Sequence, residues 1–561
     1  MRILLIYPFC LEQRSVEENV DAVPIGLYSV AATLLADGFE VEVLNWHSLP
    51  RDAAGIRAVL KARKPRLIGF SVLQATRFAA LDIARAAKKL DKTVTTVFGG
   101  PSATFLWEHF LTRYPQVDYA VLGEGERSML ELARAVRDRD PGRVASIPGL
   151  AFRAEGRPAR TPDATPVEDL DSLPIPAEHF TYRHLALTRG CPGKCAFCGS
   201  PKFWGPRVRF RSAEHFVREI ELLHGRGVSF LYVSDDTFTL RKKLVAEVCR
   251  LLVEKRLPIA WAAISRVDSV DARTLVWMRK AGCIQVSYGV ESGSPTVRAR
   301  LGKRFSNDEV RRAFELTARA GLLPRAYFIY GSPGETADTI RQSVELLLAV
   351  RPLAALFHVL VLFPGTALYE EYKRRSGLTD DIWLERMEDV MYFATDPALS
   401  VEFMREARER LHHAFHANLP AFAAAVELDP DPGLAGLHAD FLSRLGLTFD
   451  RGDYAGVEEI PDRAATAGRL YDRALGLAPD ARAYLGLGMR RQRSRDFPAA
   501  VAILAEGLKH FPANPQLTLC LAVCRMNLGE FAAALDLLLP LEGSPDAAPY
   551  LAACRERLGR G

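Results

Sequence analysis

Residues 184–198 read HLALTRG-CPGKCAFC: a short apolar run ending in arginine and glycine, then Cys191, Cys195 and Cys198 within eight residues. Three thiolates this close can converge on one metal centre. A structural zinc site needs a fourth ligand, commonly from a second nearby pair, and Cys249 and Cys283 lie in later segments, apart from one another. Ferredoxin runs supply four cysteines per cluster; this loop has three. A cubane held by three cysteines leaves one iron open to bind a substrate. The run ahead of the cysteines also opens a series. Strand-like stretches recur at 230–236, 260–266, 284–292, 324–331 and 356–365, separated by helical patterns. Six such units predict a partial (β/α)6 barrel over residues 181–375, short of the eight units of a complete barrel.

Upstream lies a second alternating series. The runs ILLIY (3–7), VEVLN (41–45), LIGFSV (67–72), TVTTVF (93–98) and YAVLG (119–123) alternate with stretches apolar at i, i+3, i+4 and i+7. Five strands alternating with helices predict an open, Rossmann-like parallel sheet over residues 1–140. Strands buried on both faces are continuously hydrophobic, and these are. Residues 141–180 are rich in Pro, Arg and Asp and read as a linker; within it GLAFRAEGRPAR (149–160) can form a small hairpin.

Strand signals stop after residue 378. Residues 376–450 read as a helical segment, including MREARERLHHAFHANLPAFAAAVEL (404–428). Residues 451–561 carry an internal repeat: Phe497 and Phe531 are 34 apart, as are Ala500 and Ala534, while Pro479 and Pro512 are 33 apart. This period resembles the tetratricopeptide (TPR) repeat, with Leu487-Gly488, Ala500 and Pro512 at that motif's positions and Gly507 where an alanine is usual. A generic helical hairpin array is the alternative, and both predict an all-α end of stacked helix pairs.

Composition limits the rest. The 561 residues are 48% hydrophobic, 25% charged and 9% aromatic, a foldable chain. Lys plus Arg is 73 against 68 Asp plus Glu, a net charge of +5; this gives no argument for nucleic acid or an anionic membrane. No apolar run approaches the ~18 residues of a membrane span, and residues 1–8 read as a buried strand rather than a signal peptide. Nine cysteines do not make a disulfide scaffold in a chain of this size, so a reducing cytoplasm is expected.

The spacing Cys-x3-Cys-x2-Cys, with Phe197 before the last cysteine and a barrel strand before the first, resembles the radical S-adenosylmethionine (SAM) superfamily. The resemblance implies a [4Fe-4S] cluster on Cys191, Cys195 and Cys198 and SAM on the open iron. It also implies an electron donor of flavodoxin or ferredoxin type, and cleavage to a 5′-deoxyadenosyl radical. Barrel sheets place their sites at carboxyl strand ends, which here carry Asp235-Asp236, Arg266, Glu291-Ser292-Gly293, Gly331 to Glu335 and Phe363-Pro-Gly365. Glu291 is similar to the family's ribose- or methionine-contacting acid. Arg266 is a candidate partner for the SAM carboxylate, since guanidinium binds carboxylate bidentately. Phe197, Asp235 and Ser292 complete the cofactor contacts expected on this side. The alternative for Glu291 and Arg266 is a mutual ion pair inside the barrel mouth.

On the first sheet, Ser71-Val-Leu73 at the end of the third strand and Gly99-Gly100 after the fourth resemble the cobalamin-binding fold. There the serine faces the nucleotide tail and the glycines let backbone approach it. Gly123-Glu124-Gly125-Glu126 is similar to the usual loop after the fifth strand, and Gly123 and Glu124 join the expected cofactor contacts. That family's Asp-x-His-x-x-Gly appears as Asp21-Ala-Val23-Pro-Ile-Gly26. Valine ligates no metal, so cobalamin is expected to bind with no protein histidine beneath the cobalt. Residues 1–373 together resemble the cobalamin-binding radical SAM enzymes. This implies methyl transfer to an unactivated carbon of a small molecule or peptide, through methylcobalamin and the deoxyadenosyl radical. The alternatives are oxidative cyclisation or ring rearrangement without methyl transfer, a sheet that has lost cobalamin and serves as a lid, and a non-catalytic cobalamin sensor or scaffold. The repeats are a candidate docking site for a protein or peptide. His412, His413 and His416 read as a solvated helix face, Cys520 and Cys524 as repeat core, and Cys10 as a buried thiol.

Overall fold

The computed structural model describes residues 1–10, 22–205, 207–384, 396 and 399–559. Its first sheet is built from β1 (Arg2–Tyr7), β2 (Glu40–Asn45), β3 (Leu67–Ser71), β4 (Thr95–Gly99), β5 (Tyr119–Val121), β6 (Leu150–Ala154) and β7 (Arg157–Arg160), in the order β2-β1-β3-β4-β5-β6-β7. The first five strands are parallel. Residues Ile3 to Tyr7 of β1 are all buried, as a central strand covered by helices on both faces should be. β4 begins two residues later than its apolar run, because Asp91 accepts from the Thr93 N–H and holds a turn there.

The last two strands are the hairpin read at 149–160, and they place it in the first sheet. β6 pairs antiparallel with β5, and β7 with β6, so the first sheet continues to Arg160. The hairpin turns at Glu155-Gly156 with φ of 51° and 78°, the two positive values of a type I′ turn, whose twist suits a tight hairpin.

The second sheet has six parallel strands in the order β15-β14-β13-β12-β11-β8: β8 (His184–Leu185), β11 (Phe230–Val233), β12 (Ala260–Ser265), β13 (Cys283–Glu291), β14 (Leu323–Tyr330) and β15 (Ala354–Val359). It is an open barrel. The run HLALTRG breaks after β8 and resumes as β9 (Thr188–Arg189), which pairs antiparallel with β10 (Arg209–Phe210) in a separate ribbon. The cysteine loop is the connection between the two ribbon strands.

Beyond the barrel, helices Val401–Ala424, Ala435–Asp450 and Arg463–Leu475 do not form a separate layer. Phe415, Leu419, Phe422, Phe441, Leu442, Leu470 and Tyr471 belong to the same continuous core as Val286, Phe314 and Leu347 of the barrel. Asp440 ties the join together: it pairs with Arg279 of the barrel at 2.6 Å, with Arg444 of its own helix and with Arg482 of the helix Ala481–Arg493. From residue 481 onward, five helices stack with apolar clusters of their own, and only the first of them, through Ala483 and Leu487, also reaches the barrel core. Small residues sit where they cross; a Cβ on Gly488 would lie 2.5 Å from Leu504. No helix among the described residues is long and apolar enough to cross a membrane.

Candidate functional site

The cysteine loop is clamped from both sides. The Ala196 N–H donates to the Leu301 carbonyl, and the Leu368 N–H donates to the Ala196 carbonyl, each at 3.0 Å. Gly302, with φ +78°, lets its turn reach the loop; a Cβ there would fall 2.4 Å from the Lys194 carbonyl, so only glycine fits. Within the loop, a Cβ on Gly193 would meet the Cys191 and Cys195 sulfurs at 3.3 and 3.6 Å and Arg266 Nη1 at 3.3 Å. Two thiols and a guanidinium therefore flank one glycine. Burial pushes the Cys198 thiol up to about 11 and raises that of Cys195, so a metal must displace their protons. Among the described residues, no three His, Cys, Asp or Glu side chains converge as a single metal ion requires.

The barrel's strand ends surround this loop. Glu291 is buried and pairs with Lys303 at 2.9 Å. Arg266 is held by Asp268 through Nε and Nη2, at 2.9 and 2.6 Å, which leaves Nη1 for the cysteine loop. The Glu291–Arg266 ion pair weighed from sequence is thus not formed; each has its own partner. Asp235 lies behind the site wall, where its carboxylate accepts from the Leu187 N–H at 3.0 Å and holds the break between β8 and β9. Asp236 is the member of that pair on the cavity, accepting from the Ser200 hydroxyl. Ser292 is fully buried and bonded to Ser343 and the Ser294 N–H. Asp235 and Ser292 therefore support the strand ends and do not face the cavity.

One cavity of about 1250 Å³ joins the carboxyl ends of the two sheets. Ser71, Leu73, Gly99, Gly100 and Gly123 form its first-sheet rim, from which a slot reaches Leu5, Gly69 and Met129. Phe197, Cys198 and Glu291 line the other side, and the wall continues to Tyr327, His358 and Phe363. An ordinary small-molecule pocket holds roughly 300–1,000 Å³, so this one has room for a bulky cofactor with a second molecule. Gly100, at φ +87°, would press a Cβ on the Val72 backbone at 3.2 Å, whereas a Cβ on Gly99 would meet nothing closer than 3.7 Å. The only histidines on the cavity among the described residues are His215 and His358, both from the barrel side. Val23 is half-buried against the first sheet's core, and Asp21 lies outside the described residues. The glycine rim, the apolar slot and the cysteine loop fit cobalamin on one side and a three-cysteine cluster with SAM on the other.

The comparisons with known proteins agree with this division. Residues 17–133 match the B12 binding domain, residues 185–347 the Radical SAM superfamily and residues 492–557 a tetratricopeptide repeat. The chain joins a B12-binding domain to a radical SAM domain. It is 28% identical over 383 residues to an uncharacterized methyltransferase of Pyrococcus horikoshii, covering 66% of this chain and 83% of that protein. It is 29% identical over 393 residues to the anaerobic magnesium-protoporphyrin IX monomethyl ester cyclase of Rubrivivax gelatinosus, covering 66% of this chain and 70% of the cyclase. The solved radical SAM methyltransferase TsrM of Kitasatospora setae, with cobalamin and a [4Fe-4S] cluster bound, superposes with a TM-score of 0.59. The identity there is 20%, over 84% of this chain and 99% of TsrM, a likeness of fold.

Glu124 of the B12-binding domain lines the cavity with its carboxylate held by the β9–β10 ribbon. Its carboxylate grips Arg189 at 2.7 Å and also pairs with Arg209, one on each strand of the β9–β10 ribbon. Arg189 also pairs with Glu126, which accepts from the Ser29 hydroxyl at 2.6 Å. Burial alone raises the Glu126 carboxyl, but Arg189 and Ser29 outweigh it and hold it below its ordinary value. Sequence reading missed Lys303, Asp268, Arg189 and Arg209, because no spacing rule links them to the residues they hold. Among the weaker candidates, His412 packs on the Phe357 ring at 4.9 Å and is half-buried with His416; only His413 is exposed. Cys520 and Cys524 fill repeat core, and Cys10 is buried.

Proposed function

We propose that this radical SAM enzyme uses cobalamin to transfer a methyl group to an unactivated carbon of a small molecule or peptide. The observation that carries the reading is the single cavity joining the glycine rim of the B12-binding domain to the cysteine loop. When bound, the cluster with SAM supplies a hydrogen-abstracting radical, and cobalamin supplies a methyl carrier. The protein's own part is placement and exclusion of water. Cys191, Cys195 and Cys198 hold the cluster, and Phe197 and Asp236 border it. Arg266 Nη1 reaches for the SAM carboxylate, and the Lys303-held Glu291 accepts from its ribose or amino group. Gly99, Gly100 and Gly123, with Ser71 and Leu73, leave the first-sheet rim open to cobalamin. Tyr327, His358 and Phe363 form the far wall, where the substrate sits. A reduced flavodoxin or ferredoxin supplies electrons, the repeats receive a protein or peptide partner, and the setting is the cytoplasm.

Mass spectrometry of anaerobic turnover mixtures tests this. Matched S-adenosylhomocysteine and 5′-deoxyadenosine are expected. The likeness to a cyclase favours one other reading, ring closure without methyl transfer; deoxyadenosine without S-adenosylhomocysteine would establish that reading instead.

A further inference from the structure

Arg189 and Arg209 are direct cross-strand partners in the β9–β10 ribbon. Like charges directly opposite one another destabilise a strand pair, and this ribbon is only two residues long on each side. Glu124 sits against both guanidinium groups, with its side chain 8% exposed and those of Arg189 and Arg209 15% and 5% exposed. The carboxylates that neutralise the pair, Glu124 on both arginines and Glu126 on Arg189, therefore come from another domain, and Glu124 alone bridges the two strands. The ribbon's two strands are the two ends of the cysteine loop, and Arg189 is two residues before Cys191. On its other side, Glu124 stands between Gly123 and Gly125, and all three line the cavity at the first-sheet rim. Gly123 also approaches the loop itself, since a Cβ there would lie 3.8 Å from the Phe203 carbonyl.

We propose that Glu124 is a positioning residue that closes the cysteine loop from the B12-binding domain, so that cobalamin on the rim and the cluster on the loop stabilise one another. This rests on the reading that the cysteines hold a cluster and the rim holds cobalamin. A ligand that orders the Gly123–Gly125 turn fixes Glu124, and Glu124 fixes both ends of the loop. By linkage the effect is reciprocal: cluster loading tightens cobalamin binding by the same factor by which cobalamin tightens cluster binding.

The test follows iron release from anaerobically reconstituted full-length protein to a ferrous chelator, with and without hydroxocobalamin. In the unaltered chain, cobalamin is expected to slow release about tenfold, an ordinary size for coupling between sites. In Glu124→Gln, release is faster and cobalamin gives no protection. Adding Arg209→Gln removes the opposed charge and is expected to bring release back to within about threefold of the unaltered chain, a rescue that loss of a mere packing contact does not produce. The inference is overturned if Glu124→Gln keeps its iron as the unaltered chain does, if cobalamin protects both equally, or if the double variant is no better than the single. Should Glu124→Gln not fold, Glu124→Asp, which keeps the charge on a side chain one carbon shorter, takes its place: it is expected to release iron faster than the unaltered chain and to gain less than about threefold protection from cobalamin, and iron kept as in the unaltered chain overturns the inference. An unaltered chain that takes up no iron would instead defeat the cluster reading itself.

Discussion

Lys303 and Glu291 form a buried ion pair, Nζ to Oε1 2.9 Å, in which the glutamate backbone stands in the left-handed region at φ 64°. The conformation costs on the order of 1–3 kcal/mol for a residue with a side chain. A register shift between Gly289 and Glu291 makes it possible, since an irregular strand end re-aims a side chain. A Cβ on Gly289 would fall 2.4 Å from Glu291 Oε1, so the pocket that receives the carboxylate exists because residue 289 is glycine. Removing one partner of a buried pair costs about 3–5 kcal/mol. Lys303→Met is therefore expected to lower the melting temperature and to weaken SAM binding at least tenfold in equilibrium dialysis, as Glu291→Gln does. SAM binding unchanged in both variants would remove Glu291 from the cofactor contacts.

Asp235 gives a pH signature. Burial pushes its carboxyl up to about 6 from 3.8, against the backbone N–H groups that favour its charge. A carboxyl raised in the folded state contributes stability that is present below its unfolded value and lost as pH rises through about 6. A shift of about two pH units corresponds to roughly 3 kcal/mol. Asn keeps the oxygen that accepts from Leu187 and carries no charge. Asp235→Asn is thus expected to melt above the unaltered apoprotein at pH 7.5, with the gap narrowing towards pH 5. A gap that stays constant over that interval would show that the carboxyl does not titrate there.

The parallel strands were legible because burial on both faces leaves continuous apolar runs, and the cysteine loop because its three ligands are adjacent in sequence. What escaped reading depends on contacts distant in the chain. The hairpin at 149–160 was legible as a hairpin, but not that it pairs onto the first sheet, with Arg157 to Arg160 as an edge strand where charged side chains and Pro158 are tolerated. Helix Val401–Ala424 reads only as a helix; that Phe415 and Leu419 complete the barrel core is a property of the packing. Glu124 reads as a cofactor contact and does line the cavity, but the arginines that hold its carboxylate, Arg189 and Arg209, lie 65 and 85 positions along the chain.

The glycine rim separates a backbone requirement from a ligand requirement. Gly100 resists change, because its φ of +87° strains any side-chain residue and a Cβ there would press on the Val72 backbone at 3.2 Å. Gly99 can accept a Cβ within the protein, so a larger residue there intrudes mainly on the cavity. Gly99→Leu is expected to fold normally and to weaken cobalamin binding at least tenfold in an absorbance titration. Cobalamin retained by the unaltered chain, once reduced to Co(II), is expected to give an electron paramagnetic resonance spectrum without nitrogen splitting, since Val23 offers no ligand. Normal cobalamin content in Gly99→Leu would mean that the rim is only a turn.

The helical end divides at residue 478. Leu470, Tyr471 and Ala474 are built into the barrel core, and Arg473 donates to the Val426 carbonyl, so a chain cut at residue 455 loses part of that core and is expected to be insoluble. A chain ending at Ala478 keeps these helices; it loses the units that carry their own clusters, together with Ala483 from the edge of the barrel core and the Arg482–Asp440 pair. Repeat units are stabilised mainly by their neighbours, so their removal leaves the rest standing. Tyr471 gains exposure where Gly486 had covered it, a local cost of about 1–2 kcal/mol. The chain ending at Ala478 is expected to be soluble, to take up iron and to form deoxyadenosine at a rate within about twofold of the full chain. If the repeats deliver a protein or peptide, methylation of the native substrate falls at least tenfold while deoxyadenosine formation persists. An unchanged product rate would make the repeats a buttress and nothing more.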